Sequence, residues 1–419
     1  MDPLSRTANI VPFNNPKKNV KFIATSVWVN WGNLSNGKPL KKQFAIICLK
    51  NQLQGVEVIH PLTDFILSNW KLRSYNTQRR HALNTVSFLN YLLTCKRSLG
   101  ITSLCELKIS HGNSYLSNLT KEGKARDTVK GAERTLTHFY VYLHKLECLP
   151  NIHDSKIIKK QNEHGNWYYE SLFDPIYPEY KNSELEHVFP LKYIPLLFEI
   201  SILTAPRITL GIYLQIFGGL RVGEVVSLTR SSIRQRVKNG DLLFSLKSRN
   251  MRTDIKDTSG SNYVKRPRKQ RVFNINGWLN ILLEDHLELY NIDADGSGAL
   301  FINSEGKAMT GKSYRQYFDK VKRNFIKYLR EQGNQEDILV ANHLNISKWS
   351  THIGRGTFTN LLAEFAENPY DVAFPRGDKQ LTSSLSYMSK TERMRLKIEE
   401  RIQYMHNEYL PQLIERKKT

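Results

Sequence analysis

Apolar residues that recur every three or four positions, in stretches far apart along the chain, constrain this sequence more than any other feature. Ala82, Val86, Leu89 and Leu93 are spaced 4, 3 and 4. Val129, Ala132, Leu136, Phe139 and Leu143 repeat the pattern, as do Tyr314, Phe318, Val321, Phe325 and Tyr328. This spacing lines one face of an α-helix and does not suit a strand. Two further helices are expected at about 190–203 and 207–219. The chain therefore reads as mainly α, with small β elements. Thr77 is the expected N-cap of the first of these helices and Asp127 that of the second.

The β signals are short and local. Lys21–Trp31, Gln43–Leu49 and Val56–Ile59 are rich in strand-favouring residues, and Asn36-Gly37 marks a turn. Leu242–Leu246 and Arg271–Ile275 read as two more strands, flanking a basic loop. A chain of 419 residues is too long for one ordinary domain. The expected division is a basic β-rich N-terminal module at 1–59, a helical domain at 60–146 and a linker at 147–187. A second, mainly helical domain follows at 188–390, and an amphipathic helical tail at 391–419. In the tail, Met394, Ile398, Ile402, Met405 and Tyr409 keep helical spacing. The linker reading rests on a composition rich in Asn, Asp, Pro and His, with Trp167, Tyr168 and Tyr169 as aromatic anchors.

Charge narrows the partner. Lys+Arg number 61 against 39 Asp+Glu, a formal net charge of +22. Hydrophobic residues make up 40%, enough for real cores, so this is not the composition of a disordered basic tail. A folded chain with such an excess points to a polyanion, nucleic acid first. The charge is also clustered. Residues 1–57 carry eight Lys/Arg and two acidic residues, and 247–271 carry nine Lys/Arg and two Asp. Lys124, Arg126, Lys130 and Arg134 lie at the start of the second helix, as a phosphate-tracking edge or as a solvated face. The N-terminal module is equally readable as a DNA-binding arm or as a sheet packed on the next domain. The four cysteines have no metal-type spacing, so free thiols and no metal site are expected. The N-terminus has no apolar core of a signal peptide, and the most apolar stretch, 188–220, is broken by Lys192, Glu199, Pro206 and Arg207. A cytoplasmic protein with no membrane span is expected.

Three separated segments carry the chemistry. The first is Gly218-Gly219-Leu220-Arg221-Val222-Gly223-Glu224-Val225, where an apolar helix ends at paired glycines. The second is Thr351-His352-Ile353-Gly354-Arg355, in which His352 and Arg355 share a face if helical. The third is Leu385-Ser386-Tyr387-Met388-Ser389, whose tyrosine lies 32 residues beyond Arg355. Taken singly, each is an ordinary helix turn, surface pair or tyrosine. In this order, with a basic hairpin between the first and second, they resemble the tyrosine recombinase (phage integrase) family over about residues 188–400.

The resemblance implies a mostly helical catalytic domain preceded by a helical core-site DNA-binding domain. It matches Arg221 to the family's first arginine, His352 and Arg355 to its His-x-x-Arg pair, and Tyr387 to its nucleophile. Lys247, directly after the strand Leu242–Leu246, matches the hairpin lysine, with Lys269 as the alternative. Arg249, Lys269 and Arg271 join Lys124, Arg126, Lys130 and Arg134 as expected DNA contacts. Asp378 stands where the family usually has His or Trp, and a carboxylate there repels a phosphodiester unless it is neutralised. The implied activity is site-specific breakage and rejoining of double-stranded DNA through a 3′-phosphotyrosine, without metal or other cofactor. The implied assembly is a homotetramer on two duplexes, joined through the C-terminal segment and aided by directionality or DNA-bending proteins in a bacterial nucleoid. Integrase or transposase of a mobile element is the leading biological role. A dimer resolvase, or a DNA-binding protein that has lost catalysis, are the alternatives.

Overall fold

A computed structural model describes residues 20–33, 39–163, 165–179, 189–236, 240–249, 251–252, 254–255, 261–347, 349–366 and 368–377. The chain forms two compact units that divide between residues 182 and 183. Each unit has its own apolar core.

The first unit opens with a three-stranded antiparallel sheet in the order β1 (Val20–Asn33), β2 (Pro39–Asn51), β3 (Glu57–Ile59). The strands fall where the sequence places them, and Asn36-Gly37 lies outside the described residues. Four helices follow: α1 (Thr63–Trp70), α2 (Tyr75–Leu99), α3 (Ile109–Lys121) and α4 (Arg126–Lys145). Sheet and helices share one core, in which Ile47 of β2 is buried with Phe65, Leu89 and Phe139. Side-chain amides on α2 complete the sheet's backbone hydrogen bonding. Asn90 both accepts from the Phe22 N–H and donates to its carbonyl, each at 2.9 Å. Gln78 accepts from the Ala45 N–H and donates to the carbonyl of Trp70, and a buried polar group needs such partners. The Trp70 ring stacks on His81 at 3.7 Å, and burial together with nearby arginines lowers the His81 pKa to about 3. His81 is therefore neutral at physiological pH and serves the core.

Both expected caps are corrected. Ser74 caps α2, its hydroxyl accepting from the Thr77 N–H, so Thr77 lies within the first turn. The N-cap of α4 is Ala125, and Asp127 sits one residue inside the helix, where its charge favours the N-terminal dipole without capping. Beyond α4 the chain runs back over the same core, burying Leu149, Ile152 and Phe173. Gly112 makes room for this, since a Cβ there would meet the Phe173 ring at 2.2 Å. A short hairpin, β4 (Lys159–Gln161) with β5 (Trp167–Tyr169), stands in this return segment.

The second unit contains α5 (Ile194–Thr204), α6 (Pro206–Gly218), α7 (Val222–Val226), α8 (Trp278–Leu289), α9 (Gly311–Gln332), α10 (Gln335–Ile346), α11 (His352–Phe365) and α12 (Pro369–Arg376). A sheet of β6 (Ile233–Arg236), β7 (Leu242–Leu246) and β8 (Arg268–Val272) lies beside them. Helix α6 is buried through most of its length, and the apolar stripe of α9 faces the core through Tyr314, Phe318, Val321 and Phe325. The strand expected at Arg271–Ile275 is β8, shifted three residues towards the N-terminus. Leu242 pairs with Val272 and Leu246 with Arg268, while Ile275 begins a 3₁₀ turn. The register is set by Val272 and Gln270, which β8 buries on alternate positions.

Candidate active site

The site is assembled around the end of α6. Gly219 closes that helix in the left-handed region, φ 65°, and a Cβ at this position would lie 2.3 Å from the Phe358 ring of α11. Glycine is therefore required twice, by the backbone conformation and by the approach of α11. Gly354 of α11 is similarly close to α6, where a Cβ would fall 2.8 Å from Cβ of Gln215. The two helices thus meet along a glycine-lined seam.

Arg221 follows this junction as the N-cap of α7, with Glu224 at the third helical position. The Arg221 N–H donates to Glu224 Oε2 at 2.9 Å, and Arg221 Nη1 lies 3.3 Å from Oε1. The Glu224 side chain is fully buried, whereas that of Arg221 is 30% exposed. Arg268 of β8 grips the same carboxylate with two nitrogens, Nη1 at 2.6 Å and Nη2 at 3.2 Å. Burial alone would raise the Glu224 pKa, but hydrogen bonds and charge from Arg268, then Arg221, hold it below the ordinary carboxylate range. Glu224 is thus an anion clamped between two guanidiniums, and it fixes the base of Arg221.

Arg355 reaches the same junction from α11. It is buried, and its guanidinium donates to the carbonyl of Gly219, two residues before Arg221, and to that of Arg376 at 3.2 Å. The two arginines named from sequence are therefore brought to one turn of chain. His352 lies at the exposed first residue of α11, on the helical face expected from its spacing to Arg355.

Lys247 is exposed directly after β7. The residue before it, Leu246, pairs with Arg268, so this end of the hairpin is tied to Glu224. Lys269 and Arg271 alternate along β8 with Arg268 and Gln270 and so occupy its opposite face. There Lys269 is exposed, and Arg271 pairs with Asp241 at 2.6 Å. Arg249 donates to the Ser227 carbonyl at 2.9 Å. The end of α12 is pinned beside these groups. Gln270 donates to the Pro375 carbonyl at 2.7 Å, and a Cβ on Gly377 would meet Arg268 Cδ at 2.4 Å. Asp378, Tyr387 and the tail at 391–419 lie outside the described residues.

Lys124, just before α4, and Lys130 and Arg134 on it are exposed. Arg126 instead donates to the Pro178 carbonyl at 3.2 Å and lies over the Tyr177 ring. Sequence reasoning missed Arg268. One arginine among nine basic residues in the loop is not distinctive, and the available signal was Glu224, a carboxylate in an apolar run that needs a counter-charge when buried.

This arrangement of helices and hairpin is the tyrosine recombinase fold. The structure of the Tn1549 transposon integrase in complex with transposon right end DNA is similar, with a TM-score of 0.52 at 16% identity, over 83% of this chain and 98% of that one. The XerH site-specific recombinase bound to palindromic difH substrate is similar with a TM-score of 0.51 at 18% identity, over 80% and 81%. The sequence matches no protein-family model and no curated protein. No helix among the described residues is long and apolar enough to cross a membrane.

Proposed function

We propose that this protein is a tyrosine site-specific recombinase, acting as the integrase or transposase of a mobile element. One observation carries the reading: Arg355 donates to the Gly219 carbonyl within the Gly-Gly-Leu-Arg turn that bears Arg221. Two arginines from distant segments are thereby drawn to one turn of chain, an arrangement that suits cations holding the non-bridging oxygens of a phosphodiester. The fold likeness to DNA-bound recombinases supports the same class.

In this reading the Tyr387 hydroxyl attacks phosphorus and its proton passes to His352. A bond forms between the tyrosine oxygen and phosphorus, and the bond to the 5′-oxygen breaks. Lys247 gives that leaving oxygen its proton. Arg221 and Arg355 hold the non-bridging oxygens, where charge accumulates in the transition state. The 3′-phosphotyrosine keeps the bond energy, so a 5′-hydroxyl of a partner strand reverses the step without a nucleotide cofactor. Lys247 is preferred to Lys269 because it directly follows β7 at the hairpin end that Arg268 ties to Glu224, whereas Lys269 lies within β8. The exposed cations of α4 supply core-site contacts, and four protomers assemble on two duplexes through their C-terminal segments. Asp378, in place of the usual His or Trp, favours a second reading, a DNA-binding protein without catalysis.

A nicked suicide duplex of the cognate site separates the two. The wild type is expected to give a covalent protein–DNA adduct on a denaturing gel, and Tyr387→Phe to give none while binding DNA equally well. A wild type that binds tightly and forms no adduct leaves only the second reading.

A further inference from the structure

We propose that the β4–β5 hairpin extends the DNA contact of the facing α4 edge into a backbone grip, adding Lys159, Trp167 and Tyr168 to the α4 cations already assigned. The inference rests on the recombinase reading only for the identity of the polyanion. The cleft between the two elements is lined by Lys130, Arg134, Thr137 and His138 of α4 and by Tyr168 and Tyr169 of β5, and encloses about 230 Å³. That volume suits a phosphate and part of its sugar, not a folded domain.

The hairpin is fixed, not loosely attached. The Tyr169 ring meets His138 edge-on at 5.9 Å, and Lys145 lies over Tyr169 at 5.8 Å. The Ser171 hydroxyl donates to buried Glu133 at the foot of the cleft, and Tyr177 donates to the same carboxylate. The one acid in the cleft is therefore occupied by hydroxyls and turned inward. On the hairpin, Lys160 pairs with Glu170 at 2.6 Å. Nearby, Asp154 pairs with His144, and Glu163 stands at the hairpin turn. Lys130, Arg134, Lys145, Lys156 and Lys159 outnumber these acids.

The hairpin's aromatic rings are displayed, not packed away. Trp167 is 62% exposed and Tyr168 46% exposed, with Lys159 over the Trp167 ring at 5.0 Å. A single exposed tryptophan needs no explanation, but an exposed tryptophan and tyrosine among lysines, on a braced hairpin, match what nucleic acid takes. Lysines neutralise phosphates and release counterions, and the flat rings lie against sugars or the floor of the minor groove. A protein partner of ordinary type would call for a broader apolar patch with fewer lysines.

The test uses the full-length chain and a fluorescein-labelled duplex of mixed sequence, with Kd measured by anisotropy across a salt series. Lys159→Ala is expected to weaken binding about 2- to 5-fold and to reduce the slope of log Kd against log salt by about 1. Trp167→Ala is expected to weaken binding with little change in slope. Thermal melts confirm that both variants are folded, and Lys159→Glu serves as a second, stronger charge probe. Unchanged Kd and slope in folded variants overturns the proposal, as does a change in oligomer mass with DNA binding intact. The suicide-duplex assay keeps the two readings apart. If the grip is real and the recombinase reading is not, the hairpin variants lose affinity although the wild type forms no adduct.

Discussion

Glu224 explains how one buried side chain organises an arginine that must stay accessible. A carboxylate with no exposed surface is costly unless it is paired and hydrogen-bonded. Here Arg268 supplies two charge-assisted bonds and the Arg221 N–H a third. Removing the charge leaves the Arg268 guanidinium without its buried counter-charge, with Gln270 and the Arg266 carbonyl as further acceptors. Glu224→Gln is expected to cost about 3–5 kcal/mol of stability. The sign of the pH effect follows from the depressed pKa. The stabilisation is fully present above the unfolded glutamate value of about 4.3 and disappears as pH falls through the lower folded value. Thermal melts from pH 7 downward should therefore show wild type and Glu224→Gln converging below about pH 4. A constant gap down to acid pH would mean that the carboxylate's charge is not what matters.

At the scale of elements, α6 and α11 meet where glycine replaces a side chain. Gly219→Ala must place a Cβ at positive φ and inside the Phe358 ring's position. The expected loss is about 2–4 kcal/mol, from backbone strain and overpacking together. Melting temperature reports the loss, and a shift of less than a degree would show that α11 yields freely. This scale also separates what the sequence made legible from what it concealed. The periodic faces of α2, α4 and α9 were readable because each buries a continuous apolar stripe. Motif order also singled out the Arg221 turn and Arg355, which the bond from Arg355 to the Gly219 carbonyl joins. Capping was not readable: Ser74 and Thr77 both accept hydrogen bonds, and only the path of the chain before α2 decides between them. The β8 register was obscured because Arg268 and Lys269 look alike until Glu224 claims one of them. The β4–β5 hairpin was hidden in a polar segment whose strands are three residues each, too short to show a period.

At the scale of the whole molecule, the N-terminal sheet bears on how far the chain can be trimmed. A removable DNA-binding arm would leave the helices intact when cut away. Here Phe22, Ala45 and Ile47 belong to the same core as Phe65, Leu89 and Phe139. Among the described residues five hydrogen bonds also join strand backbone to helix side chains: Phe22 with Asn90 twice, Ala45 with Gln78, and Ile47 with Thr63 twice. Stripping three buried apolar residues and these bonds forfeits on the order of 5–10 kcal/mol, comparable to the entire stability of a small domain. A fragment of residues 20–179 is therefore expected to melt cooperatively, and one of residues 60–179 to show no cooperative transition by circular dichroism. Cooperative melting of the shorter fragment within a few degrees of the longer would show that the helices need no sheet. It would also restore the view of the first strands as an appendage. If the longer fragment alone folds, any DNA contact made by these strands acts from within the core that also carries α4, and mutations in the sheet should be read for stability before they are read for binding.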